Sequence, residues 1–156
     1  ILLLAIGFLM TMTASAQFEQ GKYYCNGSLT GINLSYSGAE KLSLGVEAKG
    51  GYLVADNWMA LVMAGYSHDE DVDDKFAVGV GGRYYIIQNG LYMGLNARLV
   101  HGGSGYNDIM PGLELGYAFF LGKSVTIEPS VYYDQSIKNH SDYSKVGLRI
   151  GVGVYL

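Results

Sequence analysis

Three histidines and the serines near them are the residues of this chain best suited to acid–base or nucleophilic chemistry. Each pair lies in a different polar stretch: Ser67 with His68, His101 with Ser104, and His140 with Ser141. An imidazole beside a hydroxyl acts as a general base, and imidazoles gathered at one place bind zinc. No ligand spacing or nucleophile motif surrounds them, so we predict no metal site and no catalytic residue. A histidine–serine enzyme stays open as an alternative.

A second candidate is the acidic segment 67–75, SHDEDVDDK, which carries five acids and one lysine. Its alternate acids from Asp69 to Asp73 have the spacing that opens a calcium-binding loop. The sixth position is Asp74 rather than glycine, and the twelfth is Val80 rather than glutamate. The segment is therefore predicted to be a solvated acidic loop.

The elements that position these residues follow from a period of two. In the last segment, apolar residues alternate from Val146 to Leu156 with a face of glycines, Lys145, Arg149 and Tyr155. This period is the β-strand signature. Eight segments show the strand character: 28–36, 42–52, 58–66, 76–85, 91–99, 109–119, 125–133 and 145–156. Segment 58–66 is apolar on both faces, so its pattern does not fix which side faces inward.

The connections between these segments alternate in length. Three are short, at 54–57, 87–90 and 121–124. The others, apart from the first, are longer and more polar: 37–40, 67–75, 100–107 and 135–142. Alternating short turns and long loops indicate an up-and-down meander.

Composition limits the class of protein. The chain has 156 residues, enough for one domain, and is 49% hydrophobic but only 15% charged, with 23 glycines and one cysteine. Low charge with 13% aromatic residues excludes a disordered chain, and the single cysteine excludes a disulfide scaffold. A net charge of −4 without a basic cluster argues against a nucleic-acid partner. After the first ten residues, no apolar run approaches the roughly 18 residues of a membrane-spanning helix.

Residues 1–16 have the features of a signal peptide. An apolar stretch, ILLLAIGFLM, precedes the small residues Ala14 and Ala16, which fit positions −3 and −1 of a signal peptidase site. We expect cleavage before Gln17, export, and a folded domain over 22–156. The basic residues that open a signal peptide are absent, so we expect this N-terminus to be truncated.

Two kinds of eight-stranded barrel fit the pattern. A soluble barrel turns its apolar face inward, whereas a membrane barrel turns that face to lipid. Here the other face is mostly glycine with isolated charges, while a water-facing surface carries roughly 25–35% charged residues. The segments are also about 9–11 residues long, the length that crosses a bilayer at a tilt. We predict an all-β fold, an eight-stranded antiparallel up-and-down transmembrane β-barrel, with the soluble barrel as the alternative.

Aromatic residues of the apolar face lie near strand ends, where amphipathic rings collect at membrane interfaces. The predicted girdle consists of Tyr36, Tyr52, Phe76, Tyr84, Tyr117, Phe119 and Tyr133.

Charged residues of both signs occur on the opposite face. Enclosed charges require partners, so we predict a charge network in the lumen, formed by Glu47, Lys49, Arg83, Arg98, Glu114, Glu128 and Arg149. Counting from the short turns, we expect Arg98 to pair with Glu114 and Arg83 to meet Glu128 across the lumen. Eight strands leave an interior that side chains fill, so a packed polar core is predicted, with a narrow conducting path as the alternative.

Three short sequence segments resemble those of a known family. They are GYLVADN at 51–57, Arg83-Tyr84-Tyr85, and an ending with Arg149, Gly151, Val154 and Leu156. The chain resembles the small outer-membrane β-barrel family of Gram-negative bacteria, of the OmpA transmembrane-domain and OmpX type with porin-like members. The ending resembles the signal that the barrel-assembly machinery reads, although its last residue is usually aromatic.

The resemblance covers residues 22–156 and implies a location in the bacterial outer membrane. The resemblance is specific for architecture and weak for activity. We expect a non-enzymatic monomer without a cofactor, serving envelope integrity or surface interaction through its loops. The implied partners are outer-membrane lipid, lipopolysaccharide (which divalent cations could bridge to the acidic loop) and the barrel-assembly machinery. Two alternatives are a narrow porin-like channel and a barrel enzyme that modifies lipid A with a rim histidine and a serine.

Overall fold

The computed structural model describes residues 17–35, 40–41, 44–69, 72–86, 89–103, 105–137 and 145–156. The predicted signal peptide 1–16, together with Tyr36, Ser104, His140 and Ser141, lies outside these ranges. Within them, no helix is long and apolar enough to cross a membrane.

In the described ranges the chain forms ten β-strands and closes into a barrel. The strands are β1 Tyr23–Ser35, β2 Glu40–Lys41, β3 Leu44–Ala55, β4 Trp58–Asp69, β5 Val72–Tyr85, β6 Leu91–Gly102, β7 Tyr106–Tyr117, β8 Phe119–Phe120, β9 Val125–Asp134 and β10 Lys145–Tyr155. Eight of these are long, while β2 adds a short pairing to β1 and β8 continues β7 after a break at Ala118.

The long strands pair antiparallel with their neighbours in the chain, and β10 returns to β1. This closing seam runs from Tyr24 opposite Tyr155 to Ser35 opposite Lys145, so no edge stays open along it. The predicted eight-stranded up-and-down barrel is confirmed. The turns β3–β4, β5–β6 and β8–β9 lie at one end, called the turn end, and the other connections lie at the loop end.

Two hairpins are longer than the sequence pattern indicated. Strand β4 continues to Asp69 and β5 begins at Val72, so most of the predicted acidic loop 67–75 is strand. Similarly, β6 continues to Gly102 and β7 begins at Tyr106 within the predicted loop 100–107. Cross-strand hydrogen bonds extend past the apolar stretch because an antiparallel ladder needs no hydrophobic face to pair its backbone.

The inward and outward residues alternate as predicted, and the structure also shows which face of β4 points into the lumen. Its inward residues Met59, Leu61 and Met63 are buried, whereas Val62 and Tyr66 are exposed. The pattern was ambiguous because the lumen accepts apolar residues wherever they pack against other lumen side chains.

The outside of the barrel is a continuous apolar band between two aromatic belts. At the turn end, Tyr23 packs on Tyr52 at 5.2 Å between ring centroids, Trp58 on Tyr84 at 4.7 Å, and Tyr117 on Phe119 at 4.4 Å. The loop-end belt contains Tyr66, Phe76 and Tyr133. Tyr66 follows Trp58 by eight residues, which places the belts roughly 27 Å apart along a strand at about 3.4 Å per residue. At a strand tilt of about 40°, this length along the strand spans a height of roughly 21 Å, slightly less than the roughly 25 Å of a lipid-facing band.

Glycines give the lumen the room that its large side chains need. A Cβ on Gly81 would lie 2.6 Å from the carbonyl oxygen of Leu95, and one on Gly79 would lie 2.7 Å from that of Ala97. Both clashes are with the neighbouring backbone, which cannot rotate away as a side chain can. Glycine is therefore required on this face of β5.

We expect Gly81→Ala to lower the free energy of unfolding by about 1–3 kcal/mol, because the added methyl group forces β5 and β6 apart. Unfolding by urea in detergent, followed by the fluorescence of the single Trp58, measures the change. Gly27→Ala is the matched control, since its Cβ would meet no atom of the described residues within 4 Å, and we expect a change within about 0.5 kcal/mol. Equal stability of the two variants would contradict the packing described for Gly81.

Candidate functional site

The seven charged residues predicted for the lumen come from six strands, and all seven are buried inside the barrel. Alternation alone directs each of them inward. Strand β3 supplies Glu47 and Lys49, and the other five strands supply one each: Arg83, Arg98, Glu114, Glu128 and Arg149.

Lys49 and Glu114 form the centre of this network. The Lys49 ammonium lies 2.9 Å from Glu114 and 3.3 Å from Glu47. Arg149 lies at longer range from the same two carboxylates, 3.5 Å from Glu47 and 3.6 Å from Glu114. Its guanidinium also stacks over the ring of Tyr132, 4.3 Å from the centroid. Three strands on different sides of the barrel are thus joined through opposite charges.

Towards the turn end, Arg83 and Glu128 form a second part of the network. Their nearest nitrogen and oxygen atoms are 3.0 Å apart, and the structure places this pair across the lumen as expected from the sequence. The Tyr24 hydroxyl donates to Glu128 at 2.5 Å, and Thr126 donates to the other carboxylate oxygen at 2.8 Å. The Arg83 guanidinium lies 3.8 Å from the centroid of the Tyr92 ring. This pair is fully enclosed and has several hydrogen bonds.

Towards the loop end, the prediction for Arg98 was wrong. Arg98 contacts Glu47 at 2.9 Å and Asp134 at 3.0 Å, whereas Glu114 contacts Lys49, Arg83 and Arg149. The register explains the difference, because Glu114 lies opposite Gly94, four residues along β6 from Arg98. Neighbouring strands of a tilted barrel are staggered, so equal distances from two turns do not mean equal heights.

Sequence reasoning also missed Asp134 itself. This residue is the last of β9 and lies on the same inward face as Glu128 and Tyr132. One further step of the period-two pattern would have included it.

A cavity of about 110 Å³ lies in the loop-end half of the lumen. Charged side chains from both sides of the network line it, including Glu47, Arg98, Asp134, Lys145 and Arg149. The cavity is the part of the described lumen best able to hold water or small polar molecules.

The turn-end half is filled by aromatic rings instead. We call this packing the aromatic layer; it consists of Phe18, Tyr24, Tyr85, Tyr92, Phe120 and Tyr155. The Tyr85 and Tyr155 hydroxyls are 2.6 Å apart, and Tyr155 also donates to Glu128 at 3.1 Å. The layer is therefore apolar at the mouth and hydrogen-bonded to the charge network above it.

The described rim histidines do not converge on one site. His68 lies 2.6 Å from Asp74, and this contact holds the pKa of the Asp74 carboxyl below its usual value. His101 lies 2.7 Å from the Asn107 side chain. Both rings are exposed on strands that β5 separates, and among the described residues no group of three or more His, Cys, Asp or Glu could hold a metal ion.

The residues of the proposed assembly signal divide between the two faces of β10. Arg149 and Gly151 are buried in the lumen, whereas Val154 and Leu156 face outward. The backbone of Leu156 exchanges two hydrogen bonds with Tyr23, at 2.9 and 2.8 Å.

Comparison with known proteins gives a consistent result for architecture. No family model matches the chain, and no curated protein matches it in sequence. Among solved structures, the N-terminal β-barrel domain of Pseudomonas aeruginosa OprF superposes with a TM-score of 0.65 at 13% identity, over 88% of this chain and 98% of that one.

Two further bacterial barrels superpose over nearly their whole length. Neisserial surface protein A has a TM-score of 0.59 at 17% identity, over 86% of this chain and 97% of that one. The attachment invasion locus protein Ail of Yersinia pestis has a TM-score of 0.53 at 14% identity, over 87% of this chain and 98% of that one. The chain therefore has the fold shared by the small eight-stranded outer-membrane β-barrels.

Proposed function

We propose that this chain is an integral outer-membrane protein with a filled lumen, which displays its loop-end hairpins at the cell surface and catalyses no reaction. The observation that carries the proposal is the inverted distribution of residues: large apolar side chains cover the outside, and charges are buried inside. In a protein that folds in water, apolar side chains are buried and charged side chains are exposed. The opposite distribution seen here suits an exterior in contact with hydrocarbon.

The two ends of the barrel support an orientation. Outer-membrane barrels carry short turns on the periplasmic side and longer loops outside. By this rule the turn end, with the aromatic layer, faces the periplasm. The loop end, with the cavity and the acidic hairpin of β4 and β5, faces the exterior.

We expect the protein to fractionate with the outer membrane and to migrate differently in unheated and heated detergent gels, because a closed barrel resists unfolding until it is heated. Membrane fractionation followed by such gels measures both properties. Recovery from the soluble periplasm would overturn the proposed location.

A narrow channel is the second candidate, and the loop-end cavity is the observation that favours it. The support for a filled lumen is that the aromatic layer and the Arg83–Glu128 pair occupy the turn-end half. For the purified protein in a planar bilayer, we expect no steady conductance. Stable open currents would support the channel and contradict the filled lumen.

We expect Glu128→Gln to lower the free energy of unfolding by about 3–5 kcal/mol, because it leaves Arg83 buried without its nearest counter-charge. Urea unfolding monitored by Trp58 fluorescence measures the loss. Ser130→Ala is the matched control on the same face of β9, since the buried Ser130 hydroxyl has no hydrogen-bond partner among the described residues. If both variants unfold at the same urea concentration, the Arg83–Glu128 pair does not stabilise the barrel.

We propose the absence of catalysis from the placement of the two described rim histidines, His68 and His101. Their exposed rings face away from the lumen and contact residues of the neighbouring strands, Asp74 and Asn107. Replacing His68, His101 and His140 with alanine should leave the mass spectrum of cellular lipid A unchanged. A change that depends on these residues would favour the lipid A-modifying enzyme.

A further inference from the structure

The chain before β1 crosses the turn-end mouth of the barrel. This segment, Gln17–Lys22, is not part of any strand, and we call it the N-terminal strap. Hydrogen bonds join it to β3 and to the following turn: Gly21 donates to the Leu53 carbonyl, the Asn57 amide donates to the Phe18 carbonyl, and the Gln20 amide donates to Asp56, each at 2.9 Å.

Phe18 is the part of the strap that enters the barrel. Its side chain is fully buried, and its ring stacks on Tyr85 at 3.8 Å between centroids, with 12° between the planes. The same ring meets the edges of Phe120 and Tyr155, each at 5.6 Å. One side chain from outside the sheet thus contacts residues of three different strands.

The attachment of Phe18 differs from that of its neighbours in the aromatic layer. Tyr24, Tyr85, Tyr92, Phe120 and Tyr155 belong to strands, so they leave their places only if cross-strand hydrogen bonds break. Phe18 is held by its ring contacts and by the hydrogen bonds that the strap makes with Leu53, Asp56 and Asn57, among them one from the Leu53 amide to the Lys22 carbonyl at 2.9 Å. Local openings of a folded protein involve the segments with the fewest such bonds.

We infer that the N-terminal strap is a removable seal of the turn-end mouth. With Phe18 docked, the rings of Tyr85 and Tyr155 are shielded from water on that side. With Phe18 withdrawn, the strands stay paired, and an aromatic socket formed by Tyr85, Phe120 and Tyr155 opens to the periplasmic solution. The inference concerns only the mouth and holds whether or not the lumen conducts.

Ala118 provides a probe for this opening. It is 2% exposed and belongs to the same buried cluster as Phe18. In a Cys25→Ser background, Ala118→Cys introduces one thiol into this buried cluster. The rate of its reaction with a water-soluble maleimide in detergent micelles then reports the fraction of molecules in which the mouth is open.

Phe18→Ala should speed this labelling at least about tenfold, because loss of a buried phenylalanine strongly favours the open state. Tyr23→Ala is the matched control: it removes an aromatic residue at the same height, but one that lies 61% exposed on the outside. We expect it to leave the rate unchanged. Heat-modifiable migration verifies that each variant is folded.

Two results would overturn the seal. One is slow labelling in folded Phe18→Ala, and the other is equal acceleration in Tyr23→Ala. Phe18→Leu keeps much of the apolar contact but loses the stacking, and should give an intermediate rate, so it carries the test if the alanine variant does not fold. A leucine variant that labels as slowly as the parent would also contradict the role of the Phe18 ring.

Discussion

Neutralisation of charge inside a narrow, closed sheet is the interaction on which the rest of this structure depends. An ion inside a narrow, filled barrel has little water to solvate it, so each cation must lie near an anion. Lys49 between Glu47 and Glu114, Arg83 beside Glu128, and Arg98 between Glu47 and Asp134 meet this requirement. All of these pairs except Lys49–Glu47 join different strands, so they also fix how those strands are placed around the ring. Charge thus contributes to the specificity of closure as well as to its stability.

Glycine and tyrosine complete this interior in complementary ways. The glycines of β5 let the backbones of β5 and β6 approach without a clash, and the space over Gly116 and Gly153 is occupied by the rings of Tyr92 and Tyr24. Tyrosine suits the boundary between the apolar mouth and the charges, because its ring packs while its hydroxyl donates to a carboxylate. Tyr24 and Tyr155 both do so towards Glu128. The lumen is therefore graded from aromatic at the turn end to charged and partly open at the loop end.

The period of two was sufficient to predict the fold class, the number of long strands and the face of most residues, since strand geometry depends on local alternation alone. It did not predict that Arg98 meets Asp134 rather than Glu114, because the stagger between strands depends on closure of the whole sheet. Strand β4 was ambiguous for a related reason: both of its faces are apolar, and only its neighbours decide which one enters the lumen. The docking of Phe18 had no periodic signal, as the N-terminal strap is not a strand.

Pairing of β1 with β10 gives the first and last long strands the same surroundings as the other strands of the barrel. Strands β1 and β10 pair from Tyr24 and Tyr155 to Ser35 and Lys145, with one register shift between Thr30 and Ile32, and the backbones of Tyr23 and Leu156 bond to each other. The sheet consequently has no structural first strand. A circular permutant that links these two positions and begins instead at the β6–β7 connection would contain every cross-strand ladder of the parent. The order in which the strands are synthesised is then a feature of biogenesis, separable from the stability of the finished ring.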